Sequence, residues 1–316
     1  MNNLRIIFMG TPDFAVPSLK KLVEAGYEIA AVITAADKPA RRGLQLNESA
    51  VKKYALSKGL KILQPEKLKD TGFLNELKSI NADLQIVVAF RMLPEVVWDM
   101  PPMGTINLHG SLLPQYRGPA PINWAIINGE KETGVTTFKL QHAIDTGNIL
   151  LQKKIAIGDT ETAGELHDRM METGAELLLD TINQLKENKL QEIPQSNTGN
   201  HSTDIEPIHH APKIFTETCE IKWEKEADEI YNLVRGLSPY PTAFTFLKEK
   251  KIKIFRAEKE ISNVTEATGS LISDHKSFLK FACNNGYISI KELQMEGKKK
   301  MNVDDFLRGW RNDLIS

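Results

Sequence analysis

In the first half of the chain, short apolar runs alternate with segments of helical periodicity. Residues 4–9 are apolar apart from Arg5, and Gly10-Thr11-Pro12-Asp13 breaks the run. A helix is expected from there to about residue 25, with Pro12 or Pro17 tolerated only in its first turns. A second strand is expected at 27–34, a polar loop carrying Lys38, Arg41 and Arg42 at 37–46, and a helix at 49–58. Two more buried strands fall at 84–89 and 105–108, and a helix at 122–128. Strands at 134–140 and 149–157 precede a long amphipathic helix over about 163–185. This alternation predicts an α/β unit, an open doubly wound parallel sheet with helices on both faces.

Residues 191–207 hold almost no large apolar side chains and two prolines. They cannot bury a core, so they read as an exposed linker between a first domain, 1–190, and a second, 208–316. Beyond the linker the period changes. Apart from a helix near 225–233, short alternating runs fall at 243–247, 251–257, 269–273, 278–282 and 287–293. Gly and Asn punctuate them at hairpin-like intervals, which predicts a small β-barrel or sandwich.

A length of 316 residues agrees with two domains, and 41% hydrophobic with 26% charged residues describes a folded, soluble chain. The net charge of −1 excludes binding of nucleic acid by whole-molecule positive charge but leaves room for a local basic patch. The two cysteines, Cys219 and Cys283, have no CxxC spacing, so neither a disulfide scaffold nor a cysteine-rich zinc site is expected. The N-terminal apolar run is too short for a signal-peptide core, and no run approaches the ~18–20 apolar residues of a membrane helix. A cytoplasmic location is expected.

The densest chemistry lies at 103–121, MGTINLHGSLLPQYRGPAP. Asn107 and His109, at i and i+2 of a strand, point to one face. Gly110 and Ser111 turn the chain at the strand's carboxyl end, where open α/β sheets place ligands. A lone histidine there would be an ordinary buried one, but an amide, an imidazole and a rigid apolar loop together favour a site. The second signal is Gln141-His142-Ala143-Ile144-Asp145-Thr146-Gly147, between two strand-like runs. A carboxylate, an imidazole and an amide form a minimal set for moving an acyl group onto an amine. No Ser or Cys is placed as a nucleophile beside them, which favours direct transfer over a covalent acyl-enzyme.

Asn107-x-His109, Ser111-Leu112-Leu113-Pro114, Arg117-Gly118, Pro121-Ile122, Thr133-Gly134-Val135 and Asp145-Thr146-Gly147 together resemble the folate-dependent formyltransferases. The Met9-Gly10-Thr11-Pro12-Asp13-Phe14-Ala15 opening and Arg235-Gly236-Leu237-Ser238-Pro239-Tyr240-Pro241 narrow the resemblance to the branch acting on initiator tRNA. It covers nearly the whole chain. The resemblance implies a Rossmann-like N-terminal domain and an oligonucleotide-binding (OB)-type C-terminal barrel. It implies 10-formyltetrahydrofolate as donor and the α-amino group of initiator methionyl-tRNA as acceptor. Asn107, His109 and Asp145 then correspond to the catalytic residues, and Ser111, Leu112, Leu113 and Pro114 to a loop lining the folate pocket. Val88, Phe90, Arg91 and Leu93 fall in a second segment beside the pterin. The basic loop matches one that meets the tRNA acceptor end, so Lys38, Arg41 and above all Arg42 are expected at phosphates.

Residues 208–316 carry 18 basic and 16 acidic side chains, a small excess with local clusters. Alternation puts Lys251 and Lys253 on one strand face, which makes them further candidates for tRNA contact, although solvated edge-strand lysines would look the same. Gly10-Thr11-Pro12-Asp13 lacks G-x-G-x-x-G and places a charge where a pyrophosphate would sit, so dinucleotide binding is disfavoured. His209-His210 have no Cys or paired carboxylate nearby, so they read as surface residues and no metal is expected. A monomer is expected. Three rivals stay open: the same chemistry on a sugar-nucleotide amine, a non-catalytic RNA binder of the same fold, and a folate hydrolase.

Overall fold

The computed structural model describes residues 4–39, 46–197, 207–247 and 249–309. Its first half contains β1 (Arg5–Gly10), α1 (Val16–Glu24), β2 (Glu28–Ile33), β3 (Lys38–Pro39), β4 (Leu46–Asn47), α2 (Ala50–Ser57), β5 (Ile62–Leu63), α3 (Thr71–Ser79), β6 (Leu84–Val88), α4 (Glu95–Trp98) and β7 (Thr105–His109). Then come α5 (Pro121–Ile127), β8 (Glu132–Lys139), β9 (Ile149–Ala156) and α6 (Ala163–Lys186). Seven strands form one sheet in the order β5-β2-β1-β6-β7-β8-β9.

Strands β5, β2, β1, β6 and β7 are parallel, and β8 runs antiparallel to β7. The sheet is therefore mixed rather than wholly parallel. Strand β1 is apolar beyond Arg5 because both its faces are covered, and Ile6, Ile7, Phe8 and Met9 are all buried. On one face Ile7, Met9, Ala31, Ile33 and Val87 pack with Phe73, Leu77 and Ile80 from α3 and its end, and with Val97 from α4. On the opposite face Gly174 of α6 lies against Leu108 of β7, where an added Cβ would come within 2.9 Å of Leu108 Cδ2. Helix α3 falls in a stretch for which the pattern predicts no element. Its start is fixed by Asp70, whose side chain accepts from the Phe73 N–H at 3.0 Å.

The C-terminal part contains α7 (Ala227–Leu237), β10 (Ala243–Leu247), β11 (Lys250–Ile261), β12 (Leu271–Ser273), β13 (Leu279–Cys283), β14 (Gly286–Met295), β15 (Met301–Asn302) and α8 (Val303–Arg308). Its strands pair antiparallel in the order β10-β11-β14-β13-β12, with β15 on β14, as a half-barrel sheet. Register shifts at residues 254–257 bulge the long strand β11, which bends and twists the sheet locally. Ile230, Val234 and Leu237 of α7 join Ile252, Ile254, Phe281, Ile288 and Leu293 in its core.

The chain divides into two compact units. The first holds residues 1–117, 134–155 and 167–210; the second holds 118–133, 156–166 and 211–316. Within the second, Asn123 of α5 donates to the Gly236 carbonyl of α7 at 2.7 Å. Buried Arg235 donates to the carbonyls of Gly158 and Glu161 at 3.2 and 3.3 Å. The Arg-Gly pair of the 235–241 motif is thus a packing device, Arg235 for the 156–166 segment and Gly236 for the close approach of α5.

Candidate active site

Strand β7 carries Asn107 and His109 on the face that also packs α4, since Thr105, two residues earlier, donates to the Trp98 carbonyl at 2.6 Å. His109 is 7% exposed and Asn107 is half-buried. His109 Nε2 lies 2.9 Å from the carbonyl oxygen of Tyr116. A carbonyl only accepts, so Nε2 carries the hydrogen and Nδ1 faces Asp145, 3.9 Å from Oδ2. That separation is an electrostatic pairing, longer than a hydrogen bond. The Phe138 ring stands edge-on to the imidazole at 6.4 Å.

Asp145 sits in the loop between β8 and β9, in the left-handed region at φ +54°, with its side chain 13% exposed. Two residues on, Gly147 is required by space, because a Cβ there would lie 1.6 Å from the Lys139 carbonyl oxygen. The loop is tied to α4 through His142, whose Nε2 lies 2.8 Å from Glu95 Oε1 and whose ring stands edge-on to Trp98.

The turn after His109 is held from β8 and β9. The Thr136 hydroxyl donates to the Ser111 carbonyl at 2.6 Å and lies 3.2 Å from the Leu113 N–H. Gln152 Nε2 donates to the Leu113 carbonyl and to Thr136 Oγ1, both at 2.9 Å. Ser111 is buried and donates to the Gln115 carbonyl at 2.6 Å, so its hydroxyl shapes the turn. Leu113 packs with Phe138 and Ile149, while Leu112 and Pro114 stay partly open.

Strand β6 lies beside β7, with Val88 opposite Leu108, so the 88–93 segment leaves the same carboxyl edge. Val88 is buried, and Phe90 and Leu93 pack partly into the core. The Arg91 guanidinium is turned away toward the carbonyls of Pro65 and Glu66. The sheet edge thus brings Asn107, His109, Ser111–Pro114 and 88–93 together, and the Asp145 loop closes on them.

Four contributors carry no signal in the sequence. The Tyr116 carbonyl is backbone, and Thr136 and Gln152 are ordinary polar strand residues. Gln195, from the polar stretch after α6, is buried and donates to the carbonyls of Asp145 and Gly147.

Exposed Lys38 is next to Asp37, whose carboxyl is held low by its hydrogen bond to Lys52 and a second from Gln64. Arg41 and Arg42 lie outside the described residues. Lys251 and Lys253 share one face of β11, opposite Phe246 and Phe244, and Lys251 Nζ stands 3.9 Å from the Phe244 ring centroid. His209 and His210 are exposed, but His209 is fastened to Tyr116, its Nδ1 3.1 Å from the phenol oxygen. Among the described residues no group of three His, Cys, Asp or Glu is placed to hold a metal, and no helix is long and apolar enough to cross a membrane.

Comparison with known proteins gives a family. The formyl transferase model matches residues 4–182, and the model of the formyl transferase C-terminal domain matches 213–311. A methionyl-tRNA formyltransferase of Parabacteroides distasonis is 53% identical over 98% of this chain and 96% of its own length. One from Flavobacterium johnsoniae is 52% identical over 98% of this chain and 97% of its own. In fold, the chain is similar to an N-formyltransferase from Helicobacter canadensis in complex with folinic acid and dTDP-3-aminofucose. There the TM-score is 0.67 at 20% identity, over 94% of this chain and all of that one. With both family models matched along one chain and relatives just over 50% identical across nearly all of it, the protein belongs to the formyl transferase family, among the methionyl-tRNA formyltransferases.

Proposed function

We propose that the protein transfers the formyl group of 10-formyltetrahydrofolate to the α-amino group of initiator methionyl-tRNA. The observation that carries this is the fixed set on one sheet face: Asn107, and His109 held between the Tyr116 carbonyl and the Asp145 carboxylate. The partly open Leu112 and Pro114, on a turn that buried Leu113 anchors, suit a flat heterocycle together with Phe90 and Leu93 at the neighbouring strand end, while Ser111 and Val88 are buried beside them in sequence. Arg91 belongs to the same segment, and its guanidinium, held by the Pro65 and Glu66 carbonyls, would serve it by fixing the backbone there. The folate supplies an activated one-carbon unit on N10.

The three residues divide the chemistry. Asp145 accepts the proton that the attacking amine must lose as its nitrogen bonds the formyl carbon, and hands it to the Nδ1 of His109, which it faces and holds in position. His109 stabilises the oxyanion and gives the Nδ1 proton to the departing N10, since Nε2 is committed to Tyr116. Asn107 is the second oxyanion donor. Lys38, Arg41, Arg42, Lys251 and Lys253 serve the tRNA backbone, with 208–316 as the tRNA-binding domain and 1–190 as the catalytic one. The protein acts as a cytoplasmic monomer.

The test is transfer of labelled formyl from the folate donor with methionyl-tRNA and free methionine offered side by side. Label on methionyl-tRNA alone is expected. Consumption of donor with neither acceptor labelled would keep the chemistry and sink the acceptor.

A further inference from the structure

Residues 191–196 form a polar stretch in which every side chain is exposed except one, Gln195, at 7%. Ile193 just before it exchanges two backbone hydrogen bonds with Ile149 at the start of β9, 2.8 and 2.9 Å long. That pairing fixes where Gln195 enters the fold. Its Nε2 donates to two carbonyls of the catalytic loop, Asp145 and Gly147, both at 2.8 Å. Its Oε1 accepts from the Arg117 guanidinium, with Nε at 3.0 Å and a second contact from Nη2. Arg117 directly follows Tyr116, whose carbonyl takes the His109 Nε2 hydrogen.

We propose that Gln195 is a positioning residue for the formyl transfer, one amide that sets Asp145 and His109 relative to each other. The proposal rests on the catalytic reading of those two residues. Asp145 holds a left-handed conformation that disfavours a residue with a Cβ, so its loop needs outside restraint to keep it. Two carbonyls, the aspartate's own and that of Gly147 two residues on, both bound by one amide nitrogen, supply that restraint. The other end of the same amide grips the loop that anchors the imidazole. An amide is the one side chain of this length that both donates to carbonyls and accepts from a guanidinium. Glutamate would keep Arg117 and lose both carbonyls.

The experiment compares Gln195→Glu, Gln195→Met, Asp145→Asn and Asp145→Asn/Gln195→Met with the natural protein in formyl transfer to methionyl-tRNA, with thermal midpoints alongside. A loop displaced by about 1 Å lowers turnover by about 10²-fold. Both Gln195 variants should lose kcat on that order with KM for either substrate unchanged. In the Asp145→Asn background the Met substitution should cost little more, because the group it positions is gone. Near-natural kcat in Gln195→Glu overturns the proposal, as does a double variant in which the two losses multiply. Failure of both Gln195 variants to fold would make the residue structural and also overturn it. A natural protein that does not transfer formyl at all would sink the catalytic reading first, and the proposal with it. Full activity lost in Asp145→Asn but kept in the Gln195 variants sinks the proposal alone.

Discussion

His109 is buried with both ring nitrogens facing defined atoms, a carbonyl on one side and a carboxylate on the other. Replacing it by Ala should lower turnover by about 10²–10⁴-fold, the usual share of general acid–base help, measured as kcat with methionyl-tRNA saturating. Near-normal turnover would remove it from the mechanism. Gly147 tests the loop rather than the chemistry. A Cβ there would meet the Lys139 carbonyl at 1.6 Å, so Gly147→Ala must shift the segment that carries Asp145. About 10²-fold loss of kcat is expected, with Asn107 and His109 untouched. Asn107, His109 and Asp145 were legible in the sequence because an i, i+2 pair on a strand and a loop carboxylate are side-chain features. The Tyr116 carbonyl was not legible, being backbone, and Gln195 was not, because a lone glutamine in a polar stretch looks like every other solvated one.

At the level of elements, six strands of the first sheet were readable, the central ones because burial on both faces leaves continuous apolar runs, while β5, with only two residues, was not. The direction of β8 was not, since a buried strand has the same composition whichever way it runs. Helix starts depend on single capping side chains, and α6 gives a measurable case. Thr162 and Glu165 form a reciprocal cap: the Thr162 N–H donates to the Glu165 carboxylate at 2.8 Å, and the Glu165 N–H donates to the Thr162 hydroxyl at 3.3 Å. Thr162→Ala should cost about 1 kcal/mol in chemical denaturation. Backbone donation from Thr162, then the Arg256 guanidinium and the Thr162 hydroxyl, hold Glu165 down at about 2 from an ordinary 4.5. A folded-state value below the unfolded one means the carboxylate stabilises the fold fully above about 4.5 and loses that contribution as pH falls toward about 2. The side chain is 47% exposed, so solvent screening keeps the effect modest. The gap in thermal midpoint between the natural protein and Glu165→Gln should narrow across that window. A gap that stays constant with pH would assign the cap's value to shape alone.

Over the whole molecule, charge is nearly balanced, so any grip on tRNA is local. Lys251 and Lys253 stand on one face of β11 beside an exposed Phe246, a combination suited to a phosphate backbone with a base nearby. Replacing both by Ala should raise KM for methionyl-tRNA and flatten its salt dependence by about one unit of log–log slope for each phosphate left without its lysine. Turnover at saturating tRNA should hold. Arg42→Ala should act the same way, and an equal loss of folate affinity in either variant would refute a tRNA role. The change of period after the polar stretch made two structural classes legible. What composition cannot register is that α5, far upstream, packs with α7, since contacts between distant segments leave no local trace.

The two compact units are built from six alternating segments, so the chain passes from one to the other five times. A crossover in evolution, or a fusion made in the laboratory, at residue 210 would deliver only one of the second unit's three pieces. The other two, 118–133 and 156–166, would still be encoded by the recipient. Arg235 would then have to find its carbonyls, and Gly236 its room beside Ile127, in a sequence that had never matched them. The C-terminal half is therefore inherited with its upstream segments or not at all, and it cannot be traded as a cassette.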